Sequence, residues 1–235
     1  MLSGLDVSHW TGAIDWRLVV PAGYRFAFCK ATESTTYVDD TLLANVQGAR
    51  AAGLAVGAYH FYRLAATPKS QAEFFLKTIK SLPLDLPPVL DFEEQASLAP
   101  AKVADALKTW LDIVAERTGR TPIVYTSAYF WNDFTGGPDW SAQYPLWVAN
   151  YTNASAPFLP RGWTQWLFWQ YSDKGVVPGI SANADLNRFN GDEAALTLLA
   201  GSKFTPPVSL EDRVAALERD LAALHELLRG KGVIS

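Results

Sequence analysis

Leu86-Pro-Pro-Val-Leu-Asp-Phe-Glu-Glu94 is a short apolar run that ends in acids, and the fold can be read outward from it. Side chains alternate along a strand, so Asp91 and Glu93 project together at its carboxyl end and Glu94 faces the other way. The run reads as one strand, Pro88 to Phe92, of a series. Similar β-branched or aromatic runs lie at Gly4 to Ser8, Arg25 to Ala31, Ala55 to Tyr62 and Pro122 to Thr126. Helix-like stretches around Asp40 to Ala52, Lys69 to Ser81 and Ala101 to Thr118 separate them. Such alternation predicts βα units around a parallel sheet, with chemistry gathered at the carboxyl ends of the strands. After about residue 140 the helical pattern stops. Runs at Leu146 to Tyr151, Trp166 to Tyr171 and Asp185 to Phe189 follow with little between them. The expected fold is therefore α/β, an incomplete or flattened TIM-like barrel whose second half lacks crossover helices.

Bulk properties narrow the function classes. The 235 residues, 49% of them apolar, suffice for one substantial core plus a short appendage. A formal charge of −4 leaves no basic footprint for nucleic acid and argues against electrostatic capture on an acidic surface, so an anionic polymer would have to be recognised in a groove. The one cysteine, Cys29, sits in an apolar run and reads as a buried core thiol, which excludes an intrachain disulfide and a cysteine metal cluster. Three histidines without paired spacing give no zinc pattern, and no metal or cofactor is expected. His9 and His60 read as hydrogen-bonded fixtures of a site rim. The opening decapeptide has neither the basic nor the apolar region of a signal peptide, and no apolar run reaches the ~20 residues of a membrane span. The expectation is synthesis in the cytoplasm, no membrane partner, and export by some other route.

Acids recur where strands end. Asp6 lies in Gly4-Leu-Asp-Val-Ser8 and Asp185 in Ala184-Asp-Leu-Asn-Arg-Phe189, each among apolar residues like Asp91 and Glu93. Glycosidic cleavage needs a protonated carboxyl to assist the departing oxygen and a second group to support the oxocarbenium-like centre. Neighbouring carboxylates repel, which holds one of them protonated near neutral pH. An Asp-X-Glu alone does not separate a catalytic pair from a solvated or salt-bridged one.

The surrounding motifs carry more. Gly4-Leu-Asp-Val-Ser-His-Trp10, Ile14-Asp-Trp16, Phe28-Cys-Lys-Ala-Thr-Glu33, Val56-Gly-Ala-Tyr-His-Phe61, Pro88-Val-Leu-Asp-Phe-Glu93, Trp169-Gln-Tyr171 and Asp185-Leu-Asn-Arg-Phe189 occur in this order. Over about Leu2 to Ala200 the chain thereby resembles glycoside hydrolase family 25, the Chalaropsis-type lysozymes. The resemblance implies a flattened barrel of five βα units followed by three strands. It also implies cleavage of the β-1,4 bond between N-acetylmuramic acid and N-acetylglucosamine in peptidoglycan glycan strands. Carried over residue by residue, it makes Glu93 the general acid and Asp6, Asp91 and Asp185 the rest of the acidic cluster. Asp91 either attacks the anomeric carbon or orients the substrate's own N-acetyl group to do so. Both routes retain configuration, and proximity of same-strand neighbours favours the second. One departure stands out: Ser34 follows Lys-Ala-Thr-Glu33 where the family usually has glycine, which leaves the shape of the next loop open. Lacking a signal peptide, such an enzyme reads as a bacteriophage endolysin reaching the wall through a holin-type pore, or as an autolysin exported otherwise. Two other readings are a chitinase-like hydrolase of N-acetylglucosamine polymers and an inert wall-binding module.

Nine tryptophans and nine tyrosines supply rings of the kind on which pyranoses stack. Tyr59, Tyr62, Tyr125 and Trp147 at strand ends are the candidates for a glycan groove, against plain packing. Gln170, polar within an aromatic strand, is a candidate partner for substrate or for a carboxylate. Glu33 beside Lys30 predicts a structural ion pair.

Gly201 to Pro207 breaks the composition with two prolines and reads as a linker between a catalytic domain, 1–200, and a helix over 208–235. There Leu210, Val214, Leu217, Leu221, Leu224 and Leu228 alternate by four and three, a heptad seam with Ser209 as N-cap and Gly230 and Gly232 as stop. Arg213 would face Glu218, and Asp220 would face His225, across a parallel partner, so the seam predicts a homo-oligomer. Docking on the chain's own barrel is the alternative.

Overall fold

The computed structural model describes residues 1–201 together with Phe204, Val214, Glu218 and Leu221. Nine strands and six helices follow one another as β1 Leu2–Val7, α1 Trp16–Val19, β2 Tyr24–Glu33, β3 Tyr37–Val38, α2 Leu42–Ala51, β4 Ala55–Phe61, α3 Pro68–Ile79, β5 Val89–Asp91, α4 Pro100–Thr118, β6 Ile123–Ser127, α5 Ala128–Thr135, β7 Leu146–Ala149, β8 Phe168–Gly175, β9 Ala184–Phe189 and α6 Glu193–Ala200. Strand order is β1-β9-β8-β7-β6-β5-β4-β2-β3, and an added β1–β2 pairing closes eight strands into a barrel, with β3 a two-residue edge on β2. From β1 through β8 the successive barrel neighbours are parallel, whereas β9 runs antiparallel to both β8 and β1. Five βα units and then three strands is thus the observed architecture. The sheet is closed, and its incompleteness lies in the helices.

Alternation along each strand sorts the barrel into two cores. Outward residues such as Leu5, Val7, Cys29, Val56, Leu90 and Val124 pack with Val46, Phe75, Leu107 and Trp110 of the helices. Inward residues Phe26, Phe28, Val89, Ile123, Phe168 and Phe189 fill the barrel beneath the acids. Two glycines make room for the rings: a Cβ on Gly4 would lie 2.3 Å from the Phe26 ring, and one on Gly57 2.4 Å from that of Phe28. Leu196 and Ala200 of α6, with Phe204, belong to the same interior core. Phe204 is thus buried although it falls in the stretch read as linker.

Helix ends follow ordinary capping chemistry. Thr67 caps α3 by accepting from Ser70 N–H, with Pro68 at the first turn, and α4 ends on Gly119 at φ 68°. Three helices were not expected. The four-residue α1 is too short to show a period. α5 has the aromatic-rich sequence Ala-Tyr-Phe-Trp-Asn-Asp-Phe-Thr, a poor helix former. Ser127 caps it, accepting from Phe130 N–H, and Trp131 anchors it in the core. α6 corrects the expectation that helices stop after residue 140: Asp192 caps it and Leu196 is buried. No helix among the described residues is long and apolar enough to cross a membrane.

By contacts the chain divides into Met1–Thr205 and Pro206–Ser235. Of the predicted heptad seam only Val214 and Leu221 lie among the described residues, and they, like the flanking Glu218, are helical and exposed.

Candidate active site

Inward-facing residues at one rim of the barrel, from the carboxyl ends of the parallel strands and the amino end of the antiparallel β9, line a cleft of about 360 Å³. All four predicted acids reach it: Asp6 from β1, Asp91 from β5, Glu93 just beyond β5, and Asp185 from β9. Asp6 and Asp185 sit directly opposite each other in the antiparallel β1–β9 pair. Residues at opposite ends of the domain are therefore neighbours because β9 closes against β1.

Asp6 is held by amide donors. Gln170 Nε2 donates to its Oδ1 and Oδ2 at 3.0 and 3.1 Å, and Asn187 Nδ2 donates to Oδ1 at 2.6 Å. Both amides are oriented by aromatic donors. Tyr125 and Tyr151 hydroxyls each donate to Gln170 Oε1 at 2.8 Å, and Trp147 Nε1 donates to Asn187 Oδ1 at 2.7 Å. Burial raises the Asp6 carboxyl to about 6, and these N–H donors oppose a larger rise. Asp185 is pushed to about 8, first by burial and then by the charge and hydrogen bond of Asp6. At neutral pH the pair holds one proton, mainly on Asp185.

The other pair lacks such support. Asp91 is buried, and its Oδ1 has no hydrogen-bond partner among the described residues. Burial, then the charge of Glu93, holds its carboxyl well above the usual range. Glu93 is half-buried and is raised to about 7, by burial and by Asp185, against the opposing charges of Lys30 and Arg63. A carboxyl poised there can donate a proton near neutral pH.

Most of the predicted companions meet here. Tyr59, Tyr125, Trp147 and Gln170 line the cleft with the acids. Gln170 serves as the carboxylate partner of the two roles considered for it. Burial raises the Tyr59 hydroxyl well above its ordinary value, so it remains a neutral donor. Tyr62 does not belong to the site. Three residues beyond Tyr59, it points to the opposite face of the sheet and is buried in the core beneath the helices. His60 departs from the rim for the same reason. It is fully buried on that outer face, bonded to Thr32 Oγ1 and Gln71 Oε1 and stacked on Trp110. His9 is half-buried against Asp39, 2.8 Å away.

Lys30 donates to Glu33 at 2.7 Å as expected, yet it also lines the cleft. Glu94 faces away from Glu93, accepting from Leu64 N–H and Arg63. Ser34 is the one non-glycine residue among those described with positive φ, 53°. The position after Lys-Ala-Thr-Glu33 thus has a left-handed backbone under a serine. Asn187, Tyr151, Trp10 and Phe61 were not anticipated. Asn187 was legible, since it lies two residues from Asp185 on the same strand and must share its face. No group of three or more His, Cys, Asp or Glu side chains among the described residues is arranged to hold a metal ion.

Comparison with known proteins agrees with this geometry. Residues 5–180 match the model of glycosyl hydrolases family 25. The chain is 42% identical over 214 residues to lysozyme M1 of Streptomyces globisporus, covering 86% of this chain and 72% of that one. It is 31% identical over 214 residues to the N,O-diacetylmuramidase of Chalaropsis sp, covering 85% and 99%. The crystal structure of the bacterial lysozyme from Streptomyces coelicolor matches with a TM-score of 0.79 and 39% identity, over 85% of this chain and 96% of that one. The chain belongs to glycosyl hydrolase family 25.

Proposed function

We propose that this chain is a retaining N-acetylmuramidase that cleaves the β-1,4 bond between N-acetylmuramic acid and N-acetylglucosamine in peptidoglycan. The observation that carries this reading is the contrast within one strand end. Glu93 is poised to lose its proton near pH 7, and Asp91 beside it keeps a buried oxygen without a partner. Glu93 protonates the departing glycosidic oxygen and then, as the conjugate base, activates water. Asp91 resists ionisation because it is buried and lies beside the charge of Glu93, and no described residue donates to its Oδ1. The N–H of a substrate acetamido group laid against it supplies that donor and turns the acetamido oxygen toward the anomeric carbon. Asp6, negative at neutral pH, keeps its neighbour Asp185 protonated.

Digestion of purified walls followed by reducing-end analysis tests the bond. New muramic acid ends are expected, whereas new glucosamine ends would replace this reading by one of glucosaminidase or chitinase type. Retention is read from the anomer first formed. A covalent adduct on Asp91 from a fluorinated substrate would overturn the substrate-assisted route.

The heptad seam supports a second, separate proposal, self-association through residues 208–235. Equal monomer masses by sedimentation for the full chain and a chain ending at Pro207 would exclude it. The 30% identity over 187 residues to the lysozyme of Streptococcus phage Cp-9 supports a third proposal, action on the wall after release through a membrane pore, in the manner of a phage endolysin. Lysis on co-expression with a pore-former, and none without it, is the expected result.

A further inference from the structure

Because β7, β8 and β9 lack crossover helices, part of the outer face of β8 and β9 is open, and there an arginine lies on two aromatic rings. Arg188 of β9 pairs across the strands with Trp169 of β8. Its guanidinium carbon is 5.1 Å from the Trp169 ring centroid and 4.5 Å from that of Tyr171. The platform is fixed: Trp169 Nε1 donates to Asn150 O at 2.8 Å, and its ring meets Trp166 and Tyr171 edge-on. Arg63 makes a useful contrast. It lies 4.4 Å over Phe61 and gives its fork to Glu33, through Nε at 2.9 Å and Nη2 at 2.7 Å. Arg188 has the same kind of stack, but no carboxylate among the described residues forms an ion pair with it. A fork held flat on rings, with its donors uncommitted, suits bidentate recognition of a carboxylate.

Its location names the carboxylate. Arg188, Trp169 and Tyr171 line an open groove of about 650 Å³ whose other wall is formed by Tyr151, Thr152 and Asn153. Tyr151 also lines the catalytic cleft and bonds Gln170 there, so the groove begins where the cleft ends. Lys174 and Asp173 border the groove as well and offset each other, which leaves the guanidinium as its net charge. Peptidoglycan differs from a plain amino-sugar polymer in the peptide that hangs from the lactyl ether of muramic acid and carries free carboxylates. We propose that the Arg188 fork on its Trp169–Tyr171 platform binds a carboxylate of that peptide branch while the glycan lies in the cleft. This rests on the muramidase reading and makes the enzyme selective for peptide-bearing glycan.

The test compares three soluble substrates: glycan strands with their peptides, the same strands stripped of peptide by an amidase, and peptide-bearing strands whose carboxylates have been converted to carboxamides. For the parent protein, KM is expected to rise about tenfold on stripping or on amidation, with kcat little changed, as for loss of one charge-assisted pair. Arg188→Gln is expected to show the raised KM on the intact substrate and no further response to amidation, with Arg188→Lys intermediate. Equal KM for the parent on all three substrates would overturn the inference, since that arm involves no mutation and no folding question. An unchanged response to amidation in Arg188→Gln would also overturn it. Failure of the parent to cut any of the three removes the muramidase reading itself, which the first two outcomes leave standing.

Discussion

Two pairs of acids face each other across the cleft, and they differ in what holds them. Asp6 and Asp185 are opposed on antiparallel strands, and Asp6 receives three N–H bonds from Gln170 and Asn187. Asp91 and Glu93 leave one parallel strand together, and Asp91 Oδ1 receives none from the described residues. Burial raises all four carboxyls, but hydrogen bonds to the charged form let one of them ionise most readily. The supported pair carries the standing negative charge, and the unsupported pair is left for substrate. Similar side chains in one cleft thus take different roles because of the donors around them.

The largest effect that can break this division is removal of the proton donor. Glu93→Gln is expected to reduce kcat on purified walls by about a thousandfold, the scale of a general acid, without unfolding the chain. Undiminished lysis would remove Glu93 from the mechanism. The same substitution has an opposite effect on stability. Glu93 is raised from 4.5 to about 7 and Asp185 from 3.8 to about 8, so between about pH 4 and pH 8 the folded chain holds more protons than the unfolded one. Stability present at low pH is therefore lost as pH rises through that window. Glu93→Gln should melt several degrees above the parent at pH 8 and no higher at pH 4, by calorimetry. In the parent, kcat/KM should fall as pH rises above about 7, when Glu93 loses its proton.

A smaller effect sharpens the other half of the comparison. Gln170→Leu deprives Asp6 of two N–H bonds and raises its carboxyl above about 6. Activity near pH 6.5 is expected to drop about tenfold, on the scale of bonds to a charged group. The deficit relative to the parent should shrink as pH rises and Asp6 ionises again. A deficit constant across pH would mean that Gln170 acts through packing rather than through the charge of Asp6. The smallest effect lies outside both pairs. Ser34→Gly relieves a left-handed serine at φ 53° and should stabilise by about 0.5 kcal/mol, the αL cost less the added chain entropy of glycine, with activity unchanged.

Period-two alternation makes much of this site legible in the sequence. It placed Asp91 with Glu93, turned Glu94 away, and read with the same care would have placed Asn187 with Asp185 and Tyr62 away from Tyr59. Tyr62 was misassigned because an aromatic near a strand end was weighed by type rather than by parity. The helices α5 and α6 were missed for another reason. The first is built of poor helix formers and is held by a serine cap and a buried tryptophan, and the second is short and closes the interior core with Phe204. Propensity over eight residues is weaker than such packing.

The amino-acid sequence by itself determined the order of βα units, the four acids and the side of each strand on which they lie, because strand parity and motif order are local properties of the chain. Only the tertiary structure decided which acid keeps a charge. That depends on amides from β8 and β9, oriented by rings from β6, β7 and the segment after β7, closing on a carboxylate of β1 more than 160 residues away in sequence. Ionisation is set by burial and by donors within about 3 Å, and neither is visible until the barrel has closed.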